Sequence, residues 1–302
     1  MSLAGLKDSV LAFAEENAVE GAPYRTAIAP LSVSRQLAPS DPFPVVYEPL
    51  FCLVLQGAKQ AWLNDKEVTF AAGRSVVVGM DLPTFAQVTE ASTDAPYLAL
   101  ALRLDVALIR ELASEMQAAA LDEGTVPAIA SGEAGEGLID AMTRLFALLD
   151  KPAAAPFLQA GIIREIHFWL LSADNGDVLR RVASGGSHTA RISNAARFIR
   201  RHFAEPLRVP ELARQAGMSE TTFHQHFRNV CGTTPLQYQK RMRLMEAQRL
   251  MTAKGEPVSS AALAVGYESP TRFSREFSRL FGMSPRSYRQ AVSPAVLSSH
   301  ST

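Results

Sequence analysis

The chain has 302 residues and is short of several things, each of which excludes something. It has two cysteines, Cys52 and Cys231, so neither a disulfide framework nor a cysteine-built metal centre is available. That fits a reducing interior, and the expected location is the cytoplasm. None of the six histidines (His167, His188, His202, His224, His226 and His300) falls in the β-rich stretch described below. A metal-holding barrel would need imidazoles there, so no metal site is expected. Neither a glycine-rich phosphate loop nor a Ser/His/Asp set stands out. No catalytic residue and no cofactor is expected, and the chain does not read as an enzyme. Long apolar runs are missing as well. Phe51–Leu55 and Tyr97–Leu102 are strand length, and Met1–Gly21 lacks the apolar core of a signal peptide. No membrane partner is expected.

Net charge is absent too, since 30 Lys+Arg balance 30 Asp+Glu. The zero conceals an asymmetry. Between Arg191 and Gln290 stand 17 Lys+Arg and 7 Asp+Glu, which leaves 13 and 23 for the remainder. A basic third beside acidic two-thirds points to one nucleic-acid-facing part and one part with another job. At 47% hydrophobic and 20% charged the composition is globular, and the length favours about two domains.

Residues 4–20 read as an amphipathic helix with Leu6, Val10, Leu11 and Phe13 on one side. From Ala27 to Asp105 short β-rich runs alternate with turn signals. The runs are Leu31–Leu37, Val45–Tyr47, Phe51–Gln56, Val68–Phe70, Ser75–Val78, Phe85–Glu90 and Tyr97–Leu104. The turns are Pro39–Pro44, Asn64–Asp65, Ala72–Gly73 and Asp81–Pro83. This texture predicts a β-sandwich or small barrel. From Val106 to about Leu171 the pattern is helical, and its acidity suits packing or dimerisation rather than nucleic acid. Ala173–Thr189 breaks the pattern with Ser184-Gly185-Gly186-Ser187, as a linker would. The fold class is therefore a multidomain β + α chain: a β-barrel with trailing helices over 1–175, a linker over 176–189, an all-α domain over 190–292 and a disordered Ser-rich tail over 293–302.

The all-α part repeats itself. Phe223, Phe227, Gly232, Pro235 and Tyr238 recur fifty positions later as Phe273, Phe277, Gly282, Pro285 and Tyr288. Each copy reads as a helix-turn-helix. In the first, Val209–Ala216 leads to Gly217, Met218 and a capping Ser219. In the second, Ser259–Val265 leads to Gly266, Tyr267, a capping Ser269 and Pro270 at the first helical position. The second turn is one residue longer, and a helix over about Leu236–Thr252 joins the copies. With the phenylalanines inward, Thr221, Thr222, His224, Gln225 and Arg228 lie on or beside the outer face of the first reading helix. Thr271, Arg272, Ser274, Arg275 and Arg279 do the same on the second. Arginine suits guanine, glutamine adenine, and a threonine methyl thymine. Lys240, Arg241 and Arg243 on the connector suit phosphates. Two such helices would reach successive major-groove faces about 34 Å apart. His226 falls at an inward position and reads as a half-buried packing residue.

These two units resemble those of the AraC/XylS family of bacterial transcription regulators. The resemblance rests above all on Val265-Gly266-Tyr267-Glu268-Ser269-Pro270, Phe273-Ser274-Arg275-Glu276-Phe277 and Phe281-Gly282-Met283-Ser284-Pro285, and covers about residues 190–290. It implies base readers at Thr221, Thr222, His224 and Gln225, and at Thr271, Ser274 and Arg275. Residues 20–175 are similar to one AraC subgroup's cupin-like effector or dimerisation domain, through Val45-Val46-Tyr47-Glu48-Pro49, Cys52-Leu53-Val54-Leu55-Gln56-Gly57, Asp81-Leu82-Pro83 and Val88-Thr89-Glu90-Ala91. The implied function is a promoter-binding regulator that answers to a small molecule. Its implied partners are double-stranded DNA, an effector, RNA polymerase and a second copy of the chain. The alternative is a constitutive or architectural DNA binder whose barrel only dimerises. For an effector pocket, either Phe51, Leu53 and Leu55 or Cys52, Val54 and Gln56 face inward. Tyr47, Cys52, Trp62 and Arg74 are the candidate contacts, with Gln87 and Arg103 beside them. Cys52 reads first as a small buried apolar residue and second as a reactive thiol.

Overall fold

The computed structural model describes residues 2–63, 66–116 and 124–292. The turn expected at Asn64–Asp65 and the tail over 293–302 lie outside the described residues. Two compact units are present. One comprises Met1–Asn194 with Gln225–Thr233, the other Ala195–His224 with Thr234–Thr302.

The first unit opens with helix α1, Leu3–Glu16, capped by the Ser2 hydroxyl, which accepts from the Gly5 amide. Leu6, Val10 and Ala14 form its buried stripe at a strict spacing of four. Leu11 and Phe13, expected on that stripe, only flank it. The helix also stops short of residue 20, because Ala18 turns to φ +47°.

Ten strands follow among the described residues: β1 Tyr24–Arg25, β2 Leu31–Gln36, β3 Phe43–Tyr47, β4 Leu50–Gln56, β5 Ala58–Leu63, β6 Lys66–Ala71, β7 Arg74–Val78, β8 Leu82–Glu90, β9 Tyr97–Arg103 and β10 Ile129–Glu133. They do not close into the expected barrel. They form two separate antiparallel sheets, of order β1-β2-β9-β4-β7-β10 and β3-β8-β5-β6. Two expected features are overturned. Leu82 and Pro83 belong to a strand, paired with Tyr47 and Val46, rather than to a turn. Ile129–Glu133, inside the stretch read as helical, pairs along β7 from Ile129↔Val78 to Glu133↔Arg74. Its sequence has little periodicity, and backbone pairing makes it a strand.

The two alternatives for β4 are both fulfilled. Phe51, Leu53 and Leu55 share a core with Leu98, Leu100 and Leu102 of β9, with Leu6 and Val10 of α1, and with the trailing helices. Cys52 lies opposite Ala101 and points the other way, into the space between the sheets. A sheet with helices on one face and a second sheet on the other buries both.

The trailing helices are α2 Val106–Glu115, α3 Glu136–Phe146, α4 Ala155–Ser172 and α5 Asp177–Ala183. His167 on α4 is fully buried and makes two backbone hydrogen bonds. Its Nε2 accepts from the Asp105 amide at 3.0 Å, and its Nδ1 stands 2.7 Å from the Ile163 carbonyl. Helix α5 corrects the expected linker over 176–189. Val178, Leu179 and Val182 are buried on it, and Arg180 donates back to the Leu171 and Ala173 carbonyls. The apolar spacing within the Asp/Asn/Gly-punctuated stretch outweighs its turn signals, and Ser184–Ser187 alone breaks the helical course.

The remaining helices are α6 His188–Arg201, α7 Val209–Gln215, α8 Glu220–Cys231, α9 Pro235–Ala253, α10 Val258–Ala264, α11 Pro270–Phe281 and α12 Pro285–Val292. The division between the units passes through α6 and α8. Gln225–Thr233 counts with the first unit, where the Ala128 amide donates to the Val230 carbonyl at 2.9 Å.

Candidate nucleic-acid interface

Each repeat places its reading helix by the same local devices. Gly217 and Gly266 end the leading helices α7 and α10 at φ +65° and +82°, the left-handed region that glycine enters without strain. The Ser219 hydroxyl accepts from the Thr222 amide at 3.2 Å, and the Ser269 hydroxyl from the Arg272 amide at 3.3 Å. These bonds satisfy amides that the first turn of a helix leaves without partners. Phe223, Phe227, Phe273 and Phe277 are fully buried. With them inward, the orientation of α8 and α11 is set. After each reading helix Gly232 and Gly282 turn the chain at φ +69° and +75°. Thr234 and Ser284 then cap the next helix by accepting from Gln237 and Ser287. The five-residue repeat is thus one mechanical module used twice.

On α8, Thr221, Gln225 and Arg228 are exposed, while Thr222 and His224 are half-buried. Thr222 also shares a hydrogen bond of 2.8 Å with Ser219, which ties its hydroxyl to the cap. On α11, Thr271, Arg272, Arg275 and Arg279 are exposed and Ser274 is half-buried. Glu276, between them, is engaged three ways: by the Tyr267 hydroxyl at 2.7 Å, Lys240 at 3.2 Å and Arg272 at 3.4 Å. Burial alone would push its carboxyl up, but these donors hold it below the usual range. His226 is half-buried and stacks on His188, with ring centroids 4.2 Å apart, and burial lowers its pKa.

The connector behaves less simply than its charge suggests. Lys240 is drawn to Glu276, and Arg241 is half-buried, with burial lowering its pKa. Arg243, read as a phosphate contact, is turned inward instead. It donates to the carbonyls of Phe203 (2.6 Å), Glu205 (2.9 Å), Gly266 (3.0 Å) and Ala204 (3.1 Å). Gln239 donates to two of these, Phe203 and Glu205. Three of the four carbonyls, at Phe203, Ala204 and Glu205, lie past the end of α6, and the fourth follows α10. An arginine that serves chain ends looks in sequence like one that serves phosphate.

The first unit holds a second candidate site. A cavity of about 940 Å³ is lined by residues of both sheets. Tyr47 and Cys52, two of the expected contacts, line it, as does Arg103. Trp62 and Arg74 do not. The Trp62 indole donates to Glu67, and Arg74 donates to Ser131. Gln87 is also away from the cavity wall. Sequence reasoning missed Lys59, which projects from β5 into the cavity, and Tyr97, whose hydroxyl pairs with the Cys52 thiol. A lysine on a short strand reads as solvent-facing. In the sheet it pairs with Phe70 of β6 and Val88 of β8, a register that the sequence does not show. Among the described residues no group of three or more His, Cys, Asp or Glu gathers as a metal centre would require, and no helix is long and apolar enough to cross a membrane.

Residues 27–178 match the family described as AraC-type transcriptional regulator N-terminus, and residues 212–291 match the helix-turn-helix domain family. The activator RclR of Escherichia coli (strain K12), described as RCS-specific, is 42% identical over 84 residues, 28% of this chain and 30% of that protein. The activator RhaS of Klebsiella pneumoniae (strain 342) is 34% identical over 104 residues, 34% of this chain and 37% of that protein. The chain therefore spans about a third of the length of these relatives. A crystal structure of ToxT from Vibrio cholerae with an unsaturated fatty acid bound superposes with a TM-score of 0.55 at 12% identity, covering 87% of this chain and 95% of ToxT. That likeness concerns the fold alone. The first of the two family matches spans half of the sequence and the second lies on the duplicated module, and on that ground the chain belongs to the AraC-type transcriptional regulators.

Proposed function

We propose that the chain is a cytoplasmic, sequence-specific DNA-binding transcription regulator of the promoter-acting kind. The observation that carries this reading is the duplicated module: two capped helices, each pinned by two buried phenylalanines, each presenting polar and basic side chains outward. Thr221, His224, Gln225 and Arg228 are the proposed readers on α8, with Thr222 a weaker one because its hydroxyl is engaged at the cap. Thr271, Arg272, Ser274, Arg275 and Arg279 are those on α11. Arg241, and Lys240 in exchange for its bond to Glu276, are the proposed phosphate contacts.

The β-rich unit is proposed as the effector and dimerisation module. Support comes from its cavity and from ToxT, whose structure holds an unsaturated fatty acid. Dimerisation would join two half-site readers through effective concentration. RNA polymerase is the proposed partner of an activating output, by analogy with the activators RhaS and RclR.

A footprint of the full chain on DNA upstream of its own gene, at two salt concentrations, tests the reading. The expected result is a protected stretch over successive major grooves. Arg241→Ala is expected to weaken all sequences alike and lower the salt slope by about one. Protection without discrimination between sequences would leave an architectural binder in its place.

A further inference from the structure

The cavity of the first unit has an apolar wall that includes Phe43, Leu50, Phe70 and Val88, and a volume in the range that takes a small organic molecule. Two features of its polar lining are unusual. The Tyr47 hydroxyl is buried and has no hydrogen-bond partner, although buried hydroxyls nearly always find one. Lys59 has its Nζ over the rings of Phe43 and Tyr47, at 5.2 and 5.5 Å from their centroids, and among the described residues no carboxylate pairs with it. The group that does act on it is Cys52, and burial pushes that thiol up to about 11, so it supplies no anion at neutral pH. Tyr47 and Tyr97 are likewise raised by burial and stay neutral. Arg25, Glu48 and Arg103 are the other charged residues of the lining. Burial lowers the Lys59 pKa. A cation drawn into an apolar site with no counter-ion is costly, and an anion brought from outside relieves that cost.

We propose that this cavity is a binding site for a small monocarboxylate with a largely apolar body, its carboxylate paired with the Lys59 ammonium and accepting a hydrogen bond from the Tyr47 hydroxyl. One head group gives the Tyr47 hydroxyl a partner and the Lys59 ammonium a counter-ion, and the body fills the apolar remainder. The assignment rests on reading the β-rich unit as the effector module and names the ligand class of that site. Binding also carries a proton signature. A bound anion favours charged Lys59 and raises its pKa, while Cys52, Tyr47 and Tyr97 are already protonated and are pushed further that way. The complex therefore takes up a proton in the pH window between the pKa of free Lys59 and its raised value in the complex.

The test is calorimetric titration of the full chain with straight-chain monocarboxylates from butanoate to tetradecanoate and with naphthalene-1-carboxylate, each against the matching alcohol. It is run in two buffers of different ionisation enthalpy. The acids are expected to bind at least about tenfold tighter than the alcohols, and titrations repeated at rising pH are expected to show proton uptake once free Lys59 is deprotonated. Lys59→Met is expected to abolish both the preference and the uptake, and Tyr47→Phe to weaken the acids about fivefold. Alcohols binding as well as acids, no acid binding to folded protein, or uptake unchanged in Lys59→Met would each overturn the site. A mass increase on Lys59 with aldehyde probes, fixed when borohydride reduces the imine to a secondary amine, but no acid binding, would replace it with carbonyl capture. Should Lys59→Met fail to fold, Tyr47→Phe and the wild-type proton uptake decide. A discriminating footprint without ligand binding sinks this site and leaves the regulator; the reverse sinks the regulator reading.

Discussion

The two helix-turn-helix modules share a frame and differ in what they present. On α8 the charged residues are Glu220 and Arg228, which cancel, and the outer face is built from threonine, histidine and glutamine. On α11 Arg272, Arg275 and Arg279 outnumber Glu276, and that carboxylate is occupied by Tyr267, Lys240 and Arg272. Hydrogen-bonding side chains without net charge depend on close fit, whereas arginines attract the phosphates from farther away as well as pairing with guanine. The frames differ too. Gly266 packs so tightly that a Cβ there would fall on the Ala204 carbonyl, and Arg243 reaches that carbonyl and the Gly266 carbonyl. Gly217 needs a positive φ. The second module is thus the more cationic, and its turning glycine is packed hard on Ala204.

The sharpest way to break that comparison is at the two glycines. Gly266→Ala adds a clash to the left-handed penalty and is expected to cost about 2–5 kcal/mol. Gly217→Ala carries the left-handed penalty, expected at about 1–2 kcal/mol. Denaturant unfolding of the two variants measures both, and equal losses would mean that the second turn is no more constrained than the first.

Next in size are the reading helices. Arg275→Ala is expected to lose about 1–3 kcal/mol on the specific site and to relax preference at one base pair. Gln225→Ala is expected to lose about 1 kcal/mol and to leave the salt dependence unchanged. A competition assay with single-base variants checks the pair. Unchanged specificity in Arg275→Ala would remove that residue from the readers.

The smallest effect concerns Glu276. Its carboxyl is held below its ordinary value of 4.5, so the stability it contributes is present above that pH and fades as the pH falls through the lower, folded-state value. Glu276→Gln is expected to flatten the acid side of the stability profile and to leave the neutral side nearly level. A variant whose acid limb stayed as steep as wild type would show that the three donors do little there.

The modules were legible because their signals are local. Glycine at the turn, serine at the cap and phenylalanine four apart each act within a few residues, and a repeat at fixed spacing doubles the evidence. The β-rich unit was legible as texture only. Whether strands close into a barrel depends on pairings across long sequence separations, and β10 reads as a strand only beside β7. Arg243 and Lys59 mark the same limit from the side of the sites. Charge in a sequence says nothing of direction: one of these side chains turns onto backbone carbonyls and the other into an apolar cavity. Cys52 was found because its strand alternates and Tyr47 as an aromatic residue of the β-rich stretch, while Trp62 and Arg74, chosen on the same ground as Tyr47, turned to Glu67 and Ser131.

The guanidinium of Arg243 also decides how small an autonomous DNA-reading piece can be. Three of its four acceptors, at Phe203, Ala204 and Glu205, precede the residues 212–291 that match the helix-turn-helix domain. Cutting the chain at the edge of that match would keep both reading helices, remove the first turn of α7 and leave the Arg243 guanidinium with the Gly266 carbonyl alone of its four acceptors. The boundary of the functional piece is set by this fork, upstream of the point where the helix-turn-helix match begins.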